Sequence, residues 1–404
     1  MIFLFWISGL FIAYTYIGYP LWLFLRSRGK TSRMSPPSAA AACRELPLAS
    51  IVIAAHNEAG NLPRKLKNLA ELDYPAERYE IIVVSDGSTD ATDEWMGARA
   101  NDRLRFFALP RHAGKAVALN RAMEAAKGRI VVFTDARQLL HRDAVRNLVS
   151  DFDDPDVGCV SGELMLGDPN RDNGGAGVGL YWKLEKKIRE WESASGSVVG
   201  ATGALYAVRK ELLVPLPAGT VLDDVYLPIH VVRQGKRVLF EPRARVYDDL
   251  AKPGREFQRK TRTLTGNYQL LRLAPWLLTK GTPMRFRFLS HKLFRLWVPF
   301  ALVALLVASV FLTGAFYRAA LIAQLVFYAV GVLALLPRKF GFLSRVADLS
   351  SAFVLMNSAA AVALFWFLTN KKEVWAHAPA SPPALKHAGD IPVELRERTA
   401  SGHR

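Results

Sequence analysis

The chain has 404 residues, 51% of them hydrophobic, with 53 Lys and Arg against 36 Asp and Glu for a formal net charge of +17. That length holds one large domain and a membrane module, and the charge favours anionic head groups and pyrophosphate. No zinc-finger spacing or RNP-type motif accompanies the basic residues, which argues against a nucleic-acid partner; two cysteines, Cys43 and Cys159, exclude a disulfide framework or a Cys-rich metal site.

Residues 1–25 contain no charged side chain and are followed by Arg26, Arg28 and Lys30. This order predicts an uncleaved transmembrane anchor with its N-terminus outside, since a signal peptide places its basic residues first. Residues 26–48, rich in Ser, Pro and Ala from Gly29 onward, read as a linker. The folded domain, 49–254, then begins with an apolar β-branched run at 50–54, a helical repeat of Leu62, Leu66 and Leu69, and a second apolar run at 80–84. The pattern recurs as a strand at 104–108, a helix at 115–126 and a strand at 129–133. Such alternation predicts an α/β fold with a mixed, mainly parallel sheet and flanking helices, whose ligands bind at the carboxyl ends of the strands. His56, Asp86 and Asp135 all fall there.

Further strand candidates lie at 157–162, 203–208 and 237–240 around a helix at about 180–193, read as the acceptor half of the same domain. From 255 to 295, Arg and Lys mix with Phe, Tyr, Trp and Leu, as in amphipathic helices at a membrane interface; an ordinary solvated basic helix is the alternative. Three stretches, 296–316, 317–336 and 346–369, are each long enough to span, and a polar tail, 370–404, follows. Arg338, Lys339 and Arg345 place the loop between the last two in the cytoplasm. Parity then puts the tail outside. Its own Lys371, Lys372, Lys386, Arg396 and Arg398 favour the inside, so a re-entrant last stretch, with Asn357 and Ser358 near its middle, stays open.

Three acidic clusters stand out: Asp86 in VVSDGSTD, Asp135 in VVFTDARQ, and Asp223 with Asp224 in VLDDVYLP. Carboxylates at strand ends can meet a nucleotide, a metal or a reacting hydroxyl. Each also has a plainer reading: DGSTD as an Asx turn that caps a helix and frees backbone amides, His56 as a capped loop histidine, and Asp223 and Asp224 as the cap of a helix from Val225. Two lookalikes carry no function: HRDAVRN at 141–147 lacks the Asn spacing of a kinase loop, and GGAGVG at 174–179 follows no convincing strand.

Together, SIVIAAHNEAGNL at 50–62, DGSTD at 86–90, RHAGKAVALN at 111–120, Asp135 and VLDDVYLP at 221–228 resemble the inverting glycosyltransferases of family 2. The resemblance runs from about Ser50 to Asn267. With one span before and three after, it reaches the membrane-bound polysaccharide synthase-like branch, whose GT-A domain is cytoplasmic. It implies a nucleotide-sugar donor, most naturally UDP-linked, with His56 and Glu58 on the nucleoside, Asp86 on uracil or ribose, and Lys115 near the diphosphate. Asp135 matches the first acid of the DxD motif, which implies Mg²⁺ or Mn²⁺; the second acid is Arg137, which removes a ligand and repels the ion, so metal use weakens or Arg137 itself pairs with phosphate. Asp224, with Asp223 beside it, stands at the catalytic base position, and Thr202 and Gly203 match a stretch lining the acceptor.

RKTRT at 259–263 lies where processive synthases carry QxxRW, with Arg262 matching, Arg259 for Gln and Thr263 for Trp. Arg259 and Arg262 could clamp diphosphate or touch lipid head groups. The implied function is transfer of a sugar to a membrane-associated glycan at the bacterial inner membrane, in capsular or extracellular polysaccharide synthesis with export or assembly partners. The alternatives are a single addition to a lipid carrier or glycolipid, and a non-catalytic scaffold in a glycan assembly complex.

Overall fold

The computed structural model describes residues 1–29, 45–167, 180–248, 253–333 and 344–369. The elements fall into two compact units, one of membrane-type helices and one built on a sheet.

In the helical unit, α1 (Ile2–Ala13) and α2 (Tyr19–Ser27) join through a π turn at Tyr14–Gly18. They form one helix, Ile2–Ser27, long and apolar enough to cross a membrane. Three more such helices occur at Arg285–Phe311, Ala315–Leu333 and Leu349–Leu368. The second joins α10 (Arg285–Arg287) to α11 (Phe294–Phe311) through another π turn, the third is α12 (Ala315–Leu333), and the fourth belongs to α13 (Ser344–Leu368). The helix runs unbroken through Asn357, whose side-chain amide donates to the Phe353 carbonyl at 2.9 Å, so the re-entrant alternative finds no break in the backbone. The second apolar helix starts at Arg285, earlier than the expected 296, which leaves the interfacial stretch to α9 (Pro253–Leu273) and a short 3-10 turn at Pro275–Leu278.

Helix α7 (Leu180–Ser195), expected in the acceptor half of the sheet domain, groups with the helical unit instead. Ile188 packs with Tyr19 and Leu23 in one buried cluster. Glu192 accepts from the Tyr19 hydroxyl at 2.6 Å and from His291 at 2.8 Å, while Arg287 donates to the carbonyls of Glu192 and Ser197. Glu192, buried with these partners, binds the helix to that unit, because an unpaired buried carboxylate is costly.

The sheet unit carries eight strands in the order β3-β2-β1-β4-β7-β6-β8-β5. They are β1 (Ala49–Ala55), β2 (Tyr79–Asp86), β3 (Leu104–Leu109), β4 (Ile130–Thr134), β5 (Leu139–Leu140), β6 (Val157–Leu166), β7 (Leu205–Arg209) and β8 (Arg237–Asp248). β3, β2, β1 and β4 run parallel, β7 runs antiparallel between β4 and β6, β8 is parallel to β6, and β5 is antiparallel to β8. The sheet is thus mixed and mainly parallel. Ile51, Ile53, Val83 and Val132 are fully buried, as continuous β-branched runs in a sheet covered on both faces should be. Each contributes about 1.5–3 kcal/mol relative to an exposed position. The helices α3 (Leu62–Ala70), α4 (Thr92–Gly97), α5 (Lys115–Ala125), α6 (Ala144–Ser150) and α8 (Asp223–Arg233) complete the unit.

β1 lies between β2 and β4, so the strand order reverses between β1 and β4, a switch point at whose carboxyl ends ligands of such sheets bind. Cys159 is buried and its thiol pKa is pushed up by that burial, consistent with a packing role. Cys43, residues 30–44 of the linker, GGAGVG, Arg338, Lys339 and the tail from 370 lie outside the described residues.

Candidate active site

The loops after β1 and β2 are tied together before any ligand is considered. Asn57 takes a left-handed backbone, φ 56°, a conformation Asn tolerates better than most residues. Its side-chain oxygen accepts from the amides of Thr89, at 2.8 Å, and Asp90, at 3.3 Å. Ala59 donates back to the Asp90 carboxylate at 3.2 Å. Two of the amides that DGSTD was expected to free, those of Thr89 and Asp90, are therefore taken by Asn57.

Asp86, 2% exposed, ends β2 and faces the RHAGK loop. Its two carboxylate oxygens accept from the amides of Ala113, at 2.7 Å, and Gly114, at 2.8 Å, and His112 stands 2.9 Å away. His56 donates from Nδ1 to the Asp86 carbonyl at 2.8 Å, and the two imidazoles lie 4.5 Å apart. Beside them opens a cavity of about 650 Å³ whose lining includes Thr89, Asp93, Arg111 and both histidines. The close approach of the two loops requires Gly87. Its φ is 60°, and a Cβ would run into the His112 amide nitrogen and the Arg111 carbonyl carbon. Gly87→Ala is expected to destabilise the sheet unit by about 3 kcal/mol or more, a left-handed penalty plus a backbone clash, seen as a lower melting temperature of the purified protein.

The second group forms where β4, α5 and α8 converge. Lys115, at the start of α5, places its ammonium 3.0 Å from Asp135 and 3.4 Å from Asp223. Burial alone would lower its pKa; the two carboxylates overcome that and raise it, so the ammonium stays charged. Asp223 is buried and also accepts from the Tyr206 hydroxyl at 2.8 Å, while Tyr206 stacks on Phe133 with centroids 4.5 Å apart. Asp223 and Asp224 are themselves in the first turn of α8, favourable for acids at a helix N-terminus, rather than capping a helix from Val225. Asp224 points to Gly203, where an added Cβ would sit 2.9 Å from Oδ2. Thr202 is fixed through its amide, which donates to Ser161 at 2.8 Å, and its hydroxyl, which donates to the Gly162 carbonyl at 2.8 Å.

Glu58 is half-buried, and its pKa is raised chiefly by desolvation, with the charges of Asp135 and Asp90 adding to the rise; Asn61 donates to it at 2.6 Å. Arg137 pairs with buried Asp248 at 2.7 Å, and Gln138 reaches the same oxygen at 3.2 Å. The residues at this point do not fit a protein-held divalent ion. Asp135 faces an ammonium, Arg137 occupies the neighbouring acid's place, and among the described residues no three His, Cys, Asp or Glu are grouped to hold a metal.

Arg259 and Arg262 lie on α9 in the helical unit, and Thr263 donates to the Arg259 carbonyl at 3.0 Å. Four side chains escaped the sequence reading: Lys65, His112, Tyr206 and Asp248. Lys65 left a signal, for positions 62, 65, 66 and 69 share one helix face and all four are buried. A lysine on an apolar stripe asks for a polar partner. Tyr206 left none inside the apolar run of β7, and Asp248 ends a strand that continues to twelve residues under alternating basic side chains.

Residues 50–214 match the sequence model described as glycosyl transferase family 2. A poly-beta-1,6-N-acetyl-D-glucosamine synthase of Staphylococcus aureus is 27% identical over 205 residues, 50% of this chain and 49% of that protein. A beta-monoglucosyldiacylglycerol synthase of Nostoc sp. is 27% identical over 206 residues, 49% of this chain and 44% of that protein. The chain spans about half the length of the curated relatives it matches. A mannosyltransferase from Pyrobaculum calidifontis, solved in complex with GDP-Man and Mn²⁺, superposes with a TM-score of 0.68 at 24% identity, covering 91% of this chain and 99% of that one. This last likeness is one of fold and agrees with the expected GT-A architecture.

Proposed function

Because the chain carries a glycosyltransferase family 2 domain over residues 50–214, we propose that it is an inverting enzyme moving a sugar from a nucleotide-sugar to a membrane-associated glycan. The observation that carries this reading is the Lys115 ammonium between Asp135 and Asp223, with Asp224 next in sequence at the start of α8. It joins a donor-side acid to an acceptor-side acid at the carboxyl ends of the strands, where ligands of such sheets bind.

The base of the nucleotide lies in the cavity beside His56 and His112, whose imidazoles offer flat faces for stacking. Asp86 acts through the loop it holds, fixing Ala113 and Gly114 and hence the start of α5. Lys115 meets the diphosphate. Asp224 takes the proton of the acceptor hydroxyl as that oxygen attacks the anomeric carbon from the face opposite the leaving nucleotide, which inverts the centre. Thr202 and Gly203 line the acceptor, and Arg259 with Arg262 serves either diphosphate or lipid head groups.

Thr263, where processive synthases carry Trp, favours a second reading, a single addition to a lipid acceptor. The four apolar helices make the chain a membrane protein, and Arg26 and Arg28 after the first favour a cytoplasmic sheet unit at a bacterial inner membrane. Dependence on Mg²⁺ or Mn²⁺ is weak because Asp135 lacks a second acid at position 137.

The test is sugar transfer from a panel of UDP- and GDP-sugars by the protein in native-like membranes containing acceptor, with and without chelator. One donor is expected to be used, with activity in chelator within about tenfold of that with metal, a barrier change of about 1.4 kcal/mol. A product of one sugar selects the lipid-acceptor reading. No transfer or nucleotide release from any donor overturns the enzyme and leaves the scaffold.

A further inference from the structure

Asp135 and Arg137 stand two residues apart in a loop that Lys65, Lys115 and Asp248 of the sheet unit hold. We infer that Lys115 and Arg137, with Lys65 beneath the loop, neutralise the donor diphosphate in place of a bound divalent cation. The inference rests on the reading of this site as a nucleotide-sugar site and concerns what holds its phosphates.

Lys65 projects from α3 and is fully buried. Its ammonium donates to the Thr134 hydroxyl and to the Gln138 carbonyl, each at 2.8 Å, so it pins both ends of the loop that carries Asp135 and Arg137. Neither partner is a carboxylate. A buried ammonium held by neutral groups is costly, and burial lowers the pKa to about 7 even with the charge of Asp135 offsetting part of the fall. An anion arriving above the loop returns part of that cost, and none of it would be returned by a divalent cation.

Arg137 is anchored rather than loose. One guanidinium nitrogen donates to Asp248 at 2.7 Å, and the Asp248 side chain is 1% exposed, whereas that of Arg137 is 49% exposed. A guanidinium has five N–H donors in a fixed plane, so one anchored nitrogen orients the fork and leaves an edge matched to two phosphate oxygens. Lys115 completes the set, its ammonium 3.0 Å from Asp135. Preorganised cations of this kind perform the charge stabilisation otherwise given by a metal at a leaving diphosphate. They also oppose a metal, since a dication held by Asp135 would compete with the Lys115 ammonium for that carboxylate and meet the positive charge of Arg137 two residues on.

The experiment measures binding of UDP and of GDP to the full chain in lipid nanodiscs, by calorimetry, in EDTA and in Mn²⁺. Wild-type affinity for the nucleotide that binds is expected to change by less than about threefold between the two, under 1 kcal/mol. Arg137→Gln is expected to weaken binding by about tenfold in both. Arg137→Asp alone would set a carboxylate against buried Asp248, so the paired variant Arg137→Asp with Asp248→Asn is used. In it, binding becomes Mn²⁺-dependent, and the paramagnetic resonance signal of Mn²⁺ changes when nucleotide is added. Wild-type binding that vanishes in EDTA and returns with Mn²⁺ overturns the inference while sustaining the donor reading. Equal affinity of wild type and Arg137→Gln removes Arg137 from the site and overturns it as well. A folded wild type that binds neither nucleotide under either condition overturns the donor reading, and the inference with it.

Discussion

Asp224→Asn is expected to lower sugar transfer by about 10²–10⁴-fold, the range of a positioned general base. Nucleotide affinity and melting temperature should change little. The reason lies in how the two consecutive acids divide their tasks. Asp223 is buried and engaged by the Tyr206 hydroxyl at 2.8 Å and by Lys115 at 3.4 Å, so its carboxylate is committed to holding the start of α8. Asp224 is less buried and faces Gly203, and its carbonyl accepts from the Ala201 amide at 2.7 Å, which fixes the backbone from which the carboxylate projects. The amide of Asn keeps the shape and loses the basicity. Radiolabelled transfer measured beside nucleotide binding separates the two effects, and full turnover in Asp224→Asn would remove this carboxylate from the reaction.

The sheet was legible in the sequence where an apolar β-branched run ended in a polar residue at a turn. β1, β2 and β4 have that form, and His56, Asp86 and Asp135 accordingly stand at one edge. What pattern could not supply was partnership over long separations. Asp86 reads as a ligand contact, and nothing local says that its oxygens also accept from the amides of Ala113 and Gly114, 27 and 28 residues away. Arg137 reads as a lost metal ligand until Asp248, 111 residues on, is found to anchor it. Helix α7 has the amphipathic pattern of a domain helix, and nothing local says that Glu192 will meet Tyr19 and His291. Lys65 is the instructive miss. The helical repeat that identified Leu62, Leu66 and Leu69 also places position 65 on their face, and a lysine there signals a buried polar task.

Lys115→Met tests the other side of the same junction and should act on binding and stability together. In the wild type the ammonium lies between Asp135 and Asp223, whose side chains are 36% and 6% exposed. Removing it leaves the buried Asp223 with the Tyr206 hydroxyl and a second carboxylate nearby, while Asp135 is partly screened by solvent. A loss of about 1–3 kcal/mol in stability is expected, below the roughly 3–5 kcal/mol for breaking a fully buried pair because one partner is well exposed. Nucleotide affinity should fall by about tenfold or more, the scale of one charge-assisted contact to phosphate. The two readouts have separate consequences. Unchanged affinity would detach the diphosphate from this side chain, whereas weakened affinity at unchanged stability would mean that Tyr206 alone suffices to hold Asp223, and with it the helix start from which Asp224 reaches the acceptor.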